Sequence, residues 1–585
     1  MFKILKHLNT KEWIMIGLSV ALLVFSVWLD LTIPEYMSKI TRLVQTDSIV
    51  MQDIMLNGVY MLLLALGSLA LTITVGFFTA LISASFAKRL RSKLYNAVDS
   101  FSMGEINKFS TPSLITRSTN DITQVQMLIV MGMQMMIKAP ITAVWALIKI
   151  SNKGQEWTIA TGIAVILLVL LMSFVLIVVM PKFKRMQVLT DNINRITREN
   201  LVGLPVVRAY NAEHYQQGKF EKANVELMGA NLFVNRSMAF VNSMMPTIMS
   251  SLSLSVYWIG AVIISKAQDA EKLILFSNMI VFSSYSLQIV MSFMMLTMVL
   301  MFLPRASVSA KRINEVLDTK ISIVDGIVDV NLEGVKGEVV FDNVSFKYPD
   351  AAGFVLKDIS FTARSGETVA FIGSTGSGKS TLINLIPRFY DATEGSVLVN
   401  GVNVKDYKLD KLNDKIGYIS QKAVVFSGTV SSNVAFGEHA QHATQASIKD
   451  AVSIAQGTDF VEKMQNSYNA DIARGGGNLS GGQKQRLSIA RAISKNPEIY
   501  IFDDSFSALD YKTDRALRSA LKTYTKEATK LIVAQRIGTI MDADKIIVLD
   551  EGCIVGIGKH RDLLNDCKVY KEIALSQLSE EELAI

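Results

Sequence analysis

Six apolar segments in the first half of the chain are each long enough to cross about 30 Å of hydrocarbon. They lie at residues 13–37, 54–83, 125–150, 157–180, 239–264 and 273–303. A chain in lipid must satisfy its backbone hydrogen bonds internally, which favours helices. Because several segments exceed the length that a bilayer needs, we expect their helices to continue beyond it. The pattern predicts a membrane α-helical bundle of six transmembrane helices.

Basic side chains are concentrated in the two long connections between these segments. They are Lys88, Arg89, Arg91 and Lys93 in the first connection, and Lys182, Lys184, Arg185, Arg195 and Arg198 in the second. Loops rich in Lys and Arg stay in the cytosol. We therefore predict a multi-pass protein of the cytoplasmic membrane with both termini in the cytosol. The second connection is rich in helix formers and is interrupted at residues 203–205, so we expect helices that extend from the membrane and turn at their tips.

Two charged residues lie within these segments, where an unpaired charge is costly. Asp30 is towards the outer end of the first segment, and Lys138 is within the third. Both could line a cavity, and Asp30 could then attract cationic substrates. We favour another interpretation, in which the Lys138 side chain extends to the inner interface and Asp30 sits near the outer one.

The sixth segment carries a polar stripe in an otherwise apolar sequence. The stripe consists of Ser277, Asn278, Ser283, Ser284, Tyr285, Ser286 and Gln288. It indicates either the wall of a cavity or a polar contact between helices. Methionines crowd the third, fifth and sixth segments, and they could adapt to varied apolar ligands. Helix packing explains the methionines equally well.

The composition changes after Leu317 to that of a soluble α/β domain, so we predict a transmembrane domain at 1–318 and a second domain at 319–585. Near the start of the second domain, an apolar strand at 367–372 leads into a glycine-rich loop and a helix. The loop and the start of the helix comprise Gly373, Ser374, Thr375, Gly376, Ser377, Gly378, Lys379, Ser380 and Thr381. This is the P-loop pattern in the strand–loop–helix setting that it requires. Its glycines let successive N–H groups point at phosphate oxygens, and the helix adds its positive end.

The P-loop predicts a nucleoside triphosphate site with Mg²⁺, and this motif alone would still allow many NTPases. Lys379 can reach the β- and γ-phosphates, and the Ser380 hydroxyl can bind the metal ion. The buried-strand sequence at 498–503 ends in Asp503, whose carboxylate is suited to the same ion. Ser480, Gly481, Gly482 and Gln483 lie between these two elements, in the sequence LSGGQKQR. In that position they resemble the signature of ATP-binding-cassette (ABC) proteins, and six helices followed by one cassette resemble one half of an ABC exporter.

This resemblance covers essentially the whole chain and implies further roles. Tyr348 resembles the aromatic residue that stacks on adenine, and Gln421 resembles the glutamine that contacts Mg²⁺ and senses the membrane domain. Residues 507–510 resemble the loop through which two cassettes communicate. Family cassettes dimerise head to tail, so Ser480–Gln483 would serve the partner's ATP. The loop tips near 107–120 and 209–213 resemble the coupling helices that contact cassettes.

Two positions depart from the family pattern at the hydrolytic step, and they are the candidate catalytic residues. The residue after Asp503 is usually glutamate, but here it is Asp504, which is one methylene shorter. A misplacement of about 1 Å can cost on the order of 10²-fold in rate. The family's histidine is replaced by Gln535, which can donate a hydrogen bond to a γ-phosphate but carries no positive charge. A further difference is Arg474, where many exporters have glutamate.

With these two departures, the chain resembles the degenerate half of heterodimeric bacterial multidrug exporters. The resemblance implies ATP-driven export of hydrophobic or amphipathic compounds by alternating access. It also implies a non-identical partner half that supplies the missing glutamate and histidine. The alternatives are a homodimeric lipid or drug exporter and an ATP-gated channel on the same scaffold. The net charge of +7 suits loops beside anionic membrane lipid as well as it suits nucleic acid, so it carries little weight as a nucleic-acid signal. We expect no nucleic-acid partner. Two cysteines exclude a disulfide framework.

Overall fold

A computed structural model describes residues 2–44, 51–151, 154–330, 334–349 and 351–579. These residues form two compact units. The first unit comprises Met1–Asp99 and Thr111–Thr319, and the second comprises Ser100–Ser110 and Lys320–Ile585, within the described ranges. The segment Ser100–Ser110 therefore belongs to the second unit, although in sequence it interrupts the first.

The first unit is helical, and six of its described helices are long and apolar enough to cross a membrane. They span Thr10–Val44, Met51–Asp99, Thr111–Ser151, Gln155–Val202, Glu213–Lys266 and Glu271–Leu317. Each of the six predicted segments lies inside one of these helices. Each helix also continues past both ends of its segment, which confirms the expectation of helices longer than the bilayer requires.

Shorter features interrupt this helical pattern. Short helices lie at Phe2–Leu5 and Leu204–Ala209, and π-helical stretches lie at Arg117–Asp121, Gly132–Ile137 and Val175–Val179. The predicted break at 203–205 is confirmed, because the fourth long helix ends at Val202 and the fifth begins at Glu213.

The first loop tip differs from its prediction at 107–120. A short helix, Met103–Phe109, already forms the tip, and the third long helix begins at Thr111. The cause is local: Ser102 and Glu105 form a capping box that starts the short helix early.

Buried aromatic side chains hold the helical core of the first unit together. The Trp157 ring lies 5.6 Å from the Phe282 ring, and both side chains are buried. The Trp157 indole donates to the Val256 carbonyl at 3.1 Å, and the Tyr285 hydroxyl donates to the Leu31 carbonyl at 2.8 Å. These bonds satisfy the polar ends of large apolar side chains, so the rings can lie between helices.

Asp30 and Lys138 form an ion pair between the first and third long helices, at 3.2 Å from Oδ2 to Nζ. The Ser68 hydroxyl donates to the other oxygen of Asp30. A second pair joins Lys149 to Glu35 at 2.7 Å. The interpretation that Lys138 extends to the inner interface is therefore wrong. The two helices pack at this level, and a charge inside the bundle is better compensated by an opposite charge than by extension towards water.

The described residues of the second unit form three sheets. Its strands are β1 (Val339–Phe346), β2 (Leu356–Ala363), β3 (Thr368–Gly373), β4 (Glu394–Val399), β5 (Val402–Asn403), β6 (Ile416–Ile419), β7 (Gly428–Thr429), β8 (Asp471–Ile472), β9 (Ile499–Asp503), β10 (Thr529–Val533), β11 (Lys545–Asp550) and β12 (Cys553–Gly558). The central sheet has the order β12-β11-β3-β10-β9-β6, and all its neighbours are parallel except β11 and β12. The others have the orders β2-β1-β4-β5 and β7-β8. Strands β3, β9 and β11 have continuous apolar interiors, which is typical of parallel strands covered on both faces.

Helices cover the central sheet and connect its strands. They are Lys379–Asn384, Leu409–Asp414, Val430–Val434, Gln445–Ile454, Thr458–Val461, Gly481–Lys495, Tyr511–Tyr524, Ile537–Ile540, His560–Asp566 and Lys568–Leu575, with 3₁₀ turns at Glu438–Gln441, Ser467–Asn469 and Arg474–Gly476. The parallel order brings the carboxyl ends of β3, β9 and β10 to one edge of the sheet. Ligands of open α/β sheets bind at that edge.

The short helix Met103–Phe109 also belongs to this unit. The Asn107 amide donates to the Tyr390 hydroxyl at 3.2 Å, and the Ser322 backbone donates to Glu105 at 3.3 Å. Glu105 is buried, yet hydrogen bonds from Ser102 and Ser322 hold its pKa below the ordinary value.

Candidate nucleotide site

The P-loop lies between β3 and the helix Lys379–Asn384, and its backbone requires glycine. Gly376 and Gly378 have φ angles of +86° and +95°, in the left-handed region. A Cβ atom on Gly373 would lie 2.0 Å from the Leu549 carbonyl oxygen. The loop can therefore curl closely only with these residues, and its N–H groups converge at the start of the helix.

Lys379 is buried inside the P-loop. Its ammonium group donates to the carbonyl oxygens of Gly373 and Ser374, at 2.9 and 2.7 Å, and to the Ser377 hydroxyl at 3.2 Å. Burial lowers the pKa of Lys379, and the nearby carboxylates of Asp503 and Asp504 oppose that shift. The loop thus concentrates a positive charge where phosphate oxygens would lie.

Ser380 and Asp503 meet across the site, as the sequence predicts for a shared Mg²⁺. The Ser380 hydroxyl donates to Oδ1 of Asp503 at 2.8 Å. Asp503 ends the buried strand β9, and burial raises its pKa, although the bond from Ser380 opposes the shift. A hydroxyl and a buried carboxylate at this distance are oxygen ligands that fit Mg²⁺. When bound with ATP, the ion would neutralise phosphate charge.

Asp504 lies beside Asp503, and two amides converge on it. Its Oδ2 accepts from Gln535 Nε2 at 2.9 Å and from Gln421 Nε2 at 3.4 Å. The φ angle of Asp504 is +47°, and burial raises its pKa. The structure therefore brings together both candidate catalytic residues and one candidate metal ligand, Gln421.

Tyr348 is placed beside the P-loop helix. Its hydroxyl lies 3.0 Å from the Thr381 hydroxyl, and its ring meets the Tyr390 ring edge-on, with 5.2 Å between centroids. The Tyr348 side chain is half-buried. Phe346, at the end of β1, is buried in the core.

The signature residues lie on a separate element. Ser480 caps the helix Gly481–Lys495, where its hydroxyl accepts from the Gln483 backbone at 3.3 Å and its backbone donates to the Gln483 side chain at 2.9 Å. Among the described residues, no hydrogen bond joins Ser480 or Gln483 to the P-loop. Ser480 and Gly481 are exposed, so a second molecule could reach them.

One residue that sequence reasoning missed holds the segment after β10 in place. The side-chain amide of Gln577 donates to the Gln535 carbonyl at 2.7 Å and accepts from the Ile537 backbone at 2.9 Å. Gln577 thus positions the backbone that carries the Gln535 side chain. No sequence pattern surrounds Gln577, and its separation of about forty residues from Gln535 hides the pairing from a reading of local motifs.

A bundle of long apolar helices joined to a P-loop domain with a signature helix defines a membrane-bound ATPase of the transporter class. Residues 16–293 match the ABC transporter transmembrane region, and residues 356–507 match the ABC transporter family. The chain belongs to the ABC transporter family.

Three relatives support this assignment. An ABC transporter ATP-binding protein of Mycobacterium tuberculosis is 40% identical over 84% of this chain and 84% of its own length. YfiB of Bacillus subtilis, also an ABC transporter ATP-binding protein, is 33% identical over 97% of this chain and 96% of its own length. A Staphylococcus aureus protein that bears the name "Putative multidrug export ATP-binding/permease protein" is 32% identical over 83% of this chain and 82% of its own length.

A solved structure shares the fold. The structure of a bacterial Atm1-family ABC exporter with ATP bound covers 97% of this chain, which in turn covers 99% of that chain, with a TM-score of 0.78 and 23% identity. The chain thus has the fold of an exporter-type half-transporter, with its membrane and ATPase parts fused in one multi-pass membrane protein. ATP-driven transport follows from that family membership.

Proposed function

We propose that this chain is the slow-site half of a heterodimeric exporter that moves amphipathic or hydrophobic compounds out of the cell. Its own P-loop holds Mg-ATP, and its signature completes the faster site on a non-identical partner. The ATP-binding unit and both termini face the cytosol. ATP draws the two cassettes together and opens the bundle outward, and hydrolysis on the partner resets it.

The geometry around Asp504 is the observation that carries this proposal. A hydrolytic base must reach the attacking water, and catalytic geometry is sensitive to about 1 Å. Asp504 is one methylene shorter than glutamate, and its Oδ2 is bonded to the amides of Gln535 and Gln421. Gln535 stays neutral at every pH, so it cannot add a positive charge at the γ-phosphate. Binding groups are retained, whereas both groups of the hydrolytic step are weakened.

The intact signature supports a partner with a competent site. Ser480 and Gln483 are held by a capping box, and the helix that they start presents its positive end to ligands. Nothing in this element departs from the family pattern. If the signature of this chain completes the ATP site of another subunit, the signature must stay intact even though this chain's own hydrolytic groups are weakened.

A cavity of about 400 Å³ inside the membrane unit supports amphipathic cargo. It is lined by Asp30, Ile33, Pro34, Lys138, Thr142, Ser284, Leu287, Gln288, Met291, Ser292 and Met295. The ion pair and the polar stripe of the sixth helix supply polar contacts, and methionine and leucine side chains supply an adaptable apolar surface. The name of the Staphylococcus aureus relative points to cargo of the multidrug type.

An ATPase assay on each half alone and on the two halves together tests the proposal. We expect slow turnover from this chain alone and fast turnover from the pair. In this chain, the double change Asp504→Glu with Gln535→His should raise turnover at least about tenfold, because it restores the reach of the base and a charge. Asp566→Glu adds the same methylene on the exposed surface and should change nothing.

Rapid ATP hydrolysis by pairs of this unmodified chain would overturn the proposal and favour a homodimeric exporter. Ion conductance in a reconstituted bilayer, without ATP-dependent substrate accumulation in vesicles, would favour a channel instead.

A further inference from the structure

The nucleotide unit contains a second cavity, of about 520 Å³, that is separate from the P-loop. It lies between the helix Tyr511–Tyr524, the strands β9 and β10, and the start of β11. Its lining consists of Gly366, Thr368, Phe502, Phe506, Arg515, Arg518, Ser519, Leu521, Lys522, Lys526, Lys530, Ile532, Thr539, Asp542, Ala543 and Asp544. This volume is within the range of small-molecule sites, about 300–1,000 Å³.

The lining carries an excess of positive charge, with five cations against two carboxylates. Two of the cations are already engaged: Arg518 pairs with Asp514 at 3.1 Å, and Lys530 donates to two backbone carbonyls. Arg515, Lys522 and Lys526 are exposed, and no ion pair joins them to a carboxylate within the described ranges. We call these three side chains the rim of the cavity, and their positive charges favour an anion.

The floor of the cavity is apolar and partly aromatic. Phe502, Phe506, Leu521, Ile532 and Ala543 are buried and form it. The rings of Phe502 and Phe506 are stacked, with 5.0 Å between their centroids. Because these side chains are at most 9% exposed, the floor offers a narrow apolar contact for one small ring. Together, floor and rim match a ligand with a ring system at one end and a negative charge at the other.

The cavity adjoins the strands that carry the hydrolytic groups. Phe502 immediately precedes Asp503 on β9, and Ile532 lies on β10, three residues before Gln535. Thr539 belongs to the helix that follows Gln535. A ligand that packs against these side chains contacts the same backbone segments that position Asp503, Asp504 and Gln535.

We propose that this cavity binds an aromatic anion, an aryl group that bears one phosphate, sulfate or carboxylate. The cavity and the P-loop are also coupled, in that occupancy of the cavity shifts the affinity of the P-loop for ATP. Because binding coupling is reciprocal, ATP shifts the affinity for the anion by the same factor. This site is independent of the slow-site assignment, and it needs no partner chain.

The test is equilibrium binding of fluorescent 1-naphthyl phosphate to the full chain in lipid nanodiscs, with saturating Mg-ATP present to occupy the P-loop. We expect saturable binding, weakened at least about tenfold by the double change Lys522→Glu with Lys526→Glu. Ser519→Trp, which places a bulky ring in the cavity mouth, should abolish it. Lys512→Glu is the matched control, because Lys512 is an exposed cation of the same helix outside the lining.

Inorganic phosphate tests recognition of the negative charge without the ring, and 1-naphthol tests recognition of the ring without the phosphate. Each lacks one of the two features, so each should bind far more weakly than 1-naphthyl phosphate. Equal binding of either one would overturn the proposal. So would 1-naphthyl phosphate binding that ATP abolishes competitively, or that Lys522→Glu with Lys526→Glu leaves unchanged. Unchanged ATP binding in each variant shows that it is folded, and an ATP affinity that is the same with and without 1-naphthyl phosphate would overturn the coupling.

Discussion

Hydrogen bonds at Asp504 tie three separate segments of the chain to one carboxylate. Gln421 follows β6, Asp504 follows β9 and Gln535 follows β10, and these strands are neighbours in the sheet order. Because the strands are parallel, their carboxyl ends meet. A change at any of the three residues therefore changes the surroundings of the other two.

The sequence was sufficient to select the P-loop residues, Asp503, Asp504 and Gln535, because their motifs carry fixed spacing. It was not sufficient to show that Gln535 and Gln421 bond to one oxygen of Asp504, since that contact depends on strand order. The contact of Gln577 with Gln535 was also beyond the sequence, because it joins a C-terminal turn to the end of β10.

His560 makes the C-terminal helices sensitive to acid. Its side chain is buried, Nδ1 lies 2.6 Å from the Tyr570 hydroxyl, and Nε2 has no hydrogen-bond partner among the described residues. Burial, with help from Arg561, lowers the pKa of His560, although Asp542 opposes the shift. The neutral ring is thus the form that the folded state favours.

Lowering the pH through the ordinary histidine pKa of about 6.5 should therefore destabilise this region. The unfolded chain takes up a proton that the folded chain does not, so the stabilisation is complete above that pH and is lost below it. After correction for intrinsic exchange, hydrogen–deuterium exchange of His560–Asp566 and Lys568–Leu575 should quicken as the pH falls from about 7.5 to about 5.5. In His560→Gln the pH dependence should be absent after correction for intrinsic exchange. An equal pH dependence in both proteins would contradict the assignment.

At the scale of the elements, the apolar segments predicted the six long helices, but the contacts between helices were not predictable. Periodicity indicates that a helix exists, whereas pairing depends on which faces pack together. Asp30 and Lys138 illustrate the difference, because each taken alone is best explained by an interface, yet together they form an ion pair. The early helix at Met103–Phe109 carried a local signal in Ser102 and Glu105, a capping box that the loop prediction did not use.

The ion pair between the first and third helices should be measurable as a coupling. Asp30→Asn and Lys138→Gln each leave an uncompensated charge inside the bundle, so each should lower the thermal stability of the chain in nanodiscs. The double change should cost less than the sum, with a coupling of about 1–3 kcal/mol. Lys222→Gln makes the same chemical change on an exposed face of the fifth helix and should have little effect. Strictly additive losses would show that the pair does not stabilise the packing.

For the whole transporter, the proposed asymmetry predicts that two changes in this chain will have unequal effects. In the complex with the partner half, Gly481→Asp should lower ATP turnover at least about tenfold, since it blocks the signature that serves the partner's site. Asp504→Asn should lower turnover less than about threefold, because this chain's own site contributes little. ATPase and vesicle transport assays on the same preparations measure both effects. The opposite order would place the main hydrolytic site on this chain.

The membership of Ser100–Ser110 in the second unit bears on the order in which the protein can be assembled during synthesis. A ribosome adding about 5–20 residues per second makes this segment roughly ten to forty seconds before Ser322 and roughly fifteen to sixty seconds before Tyr390. Its docking site does not exist when the first two long helices enter the membrane. The nascent chain must therefore keep this stretch accessible until Ser322 and Tyr390 have been made. Closure of the second unit around this segment can therefore only follow synthesis of the sixth long helix, which ends at Leu317.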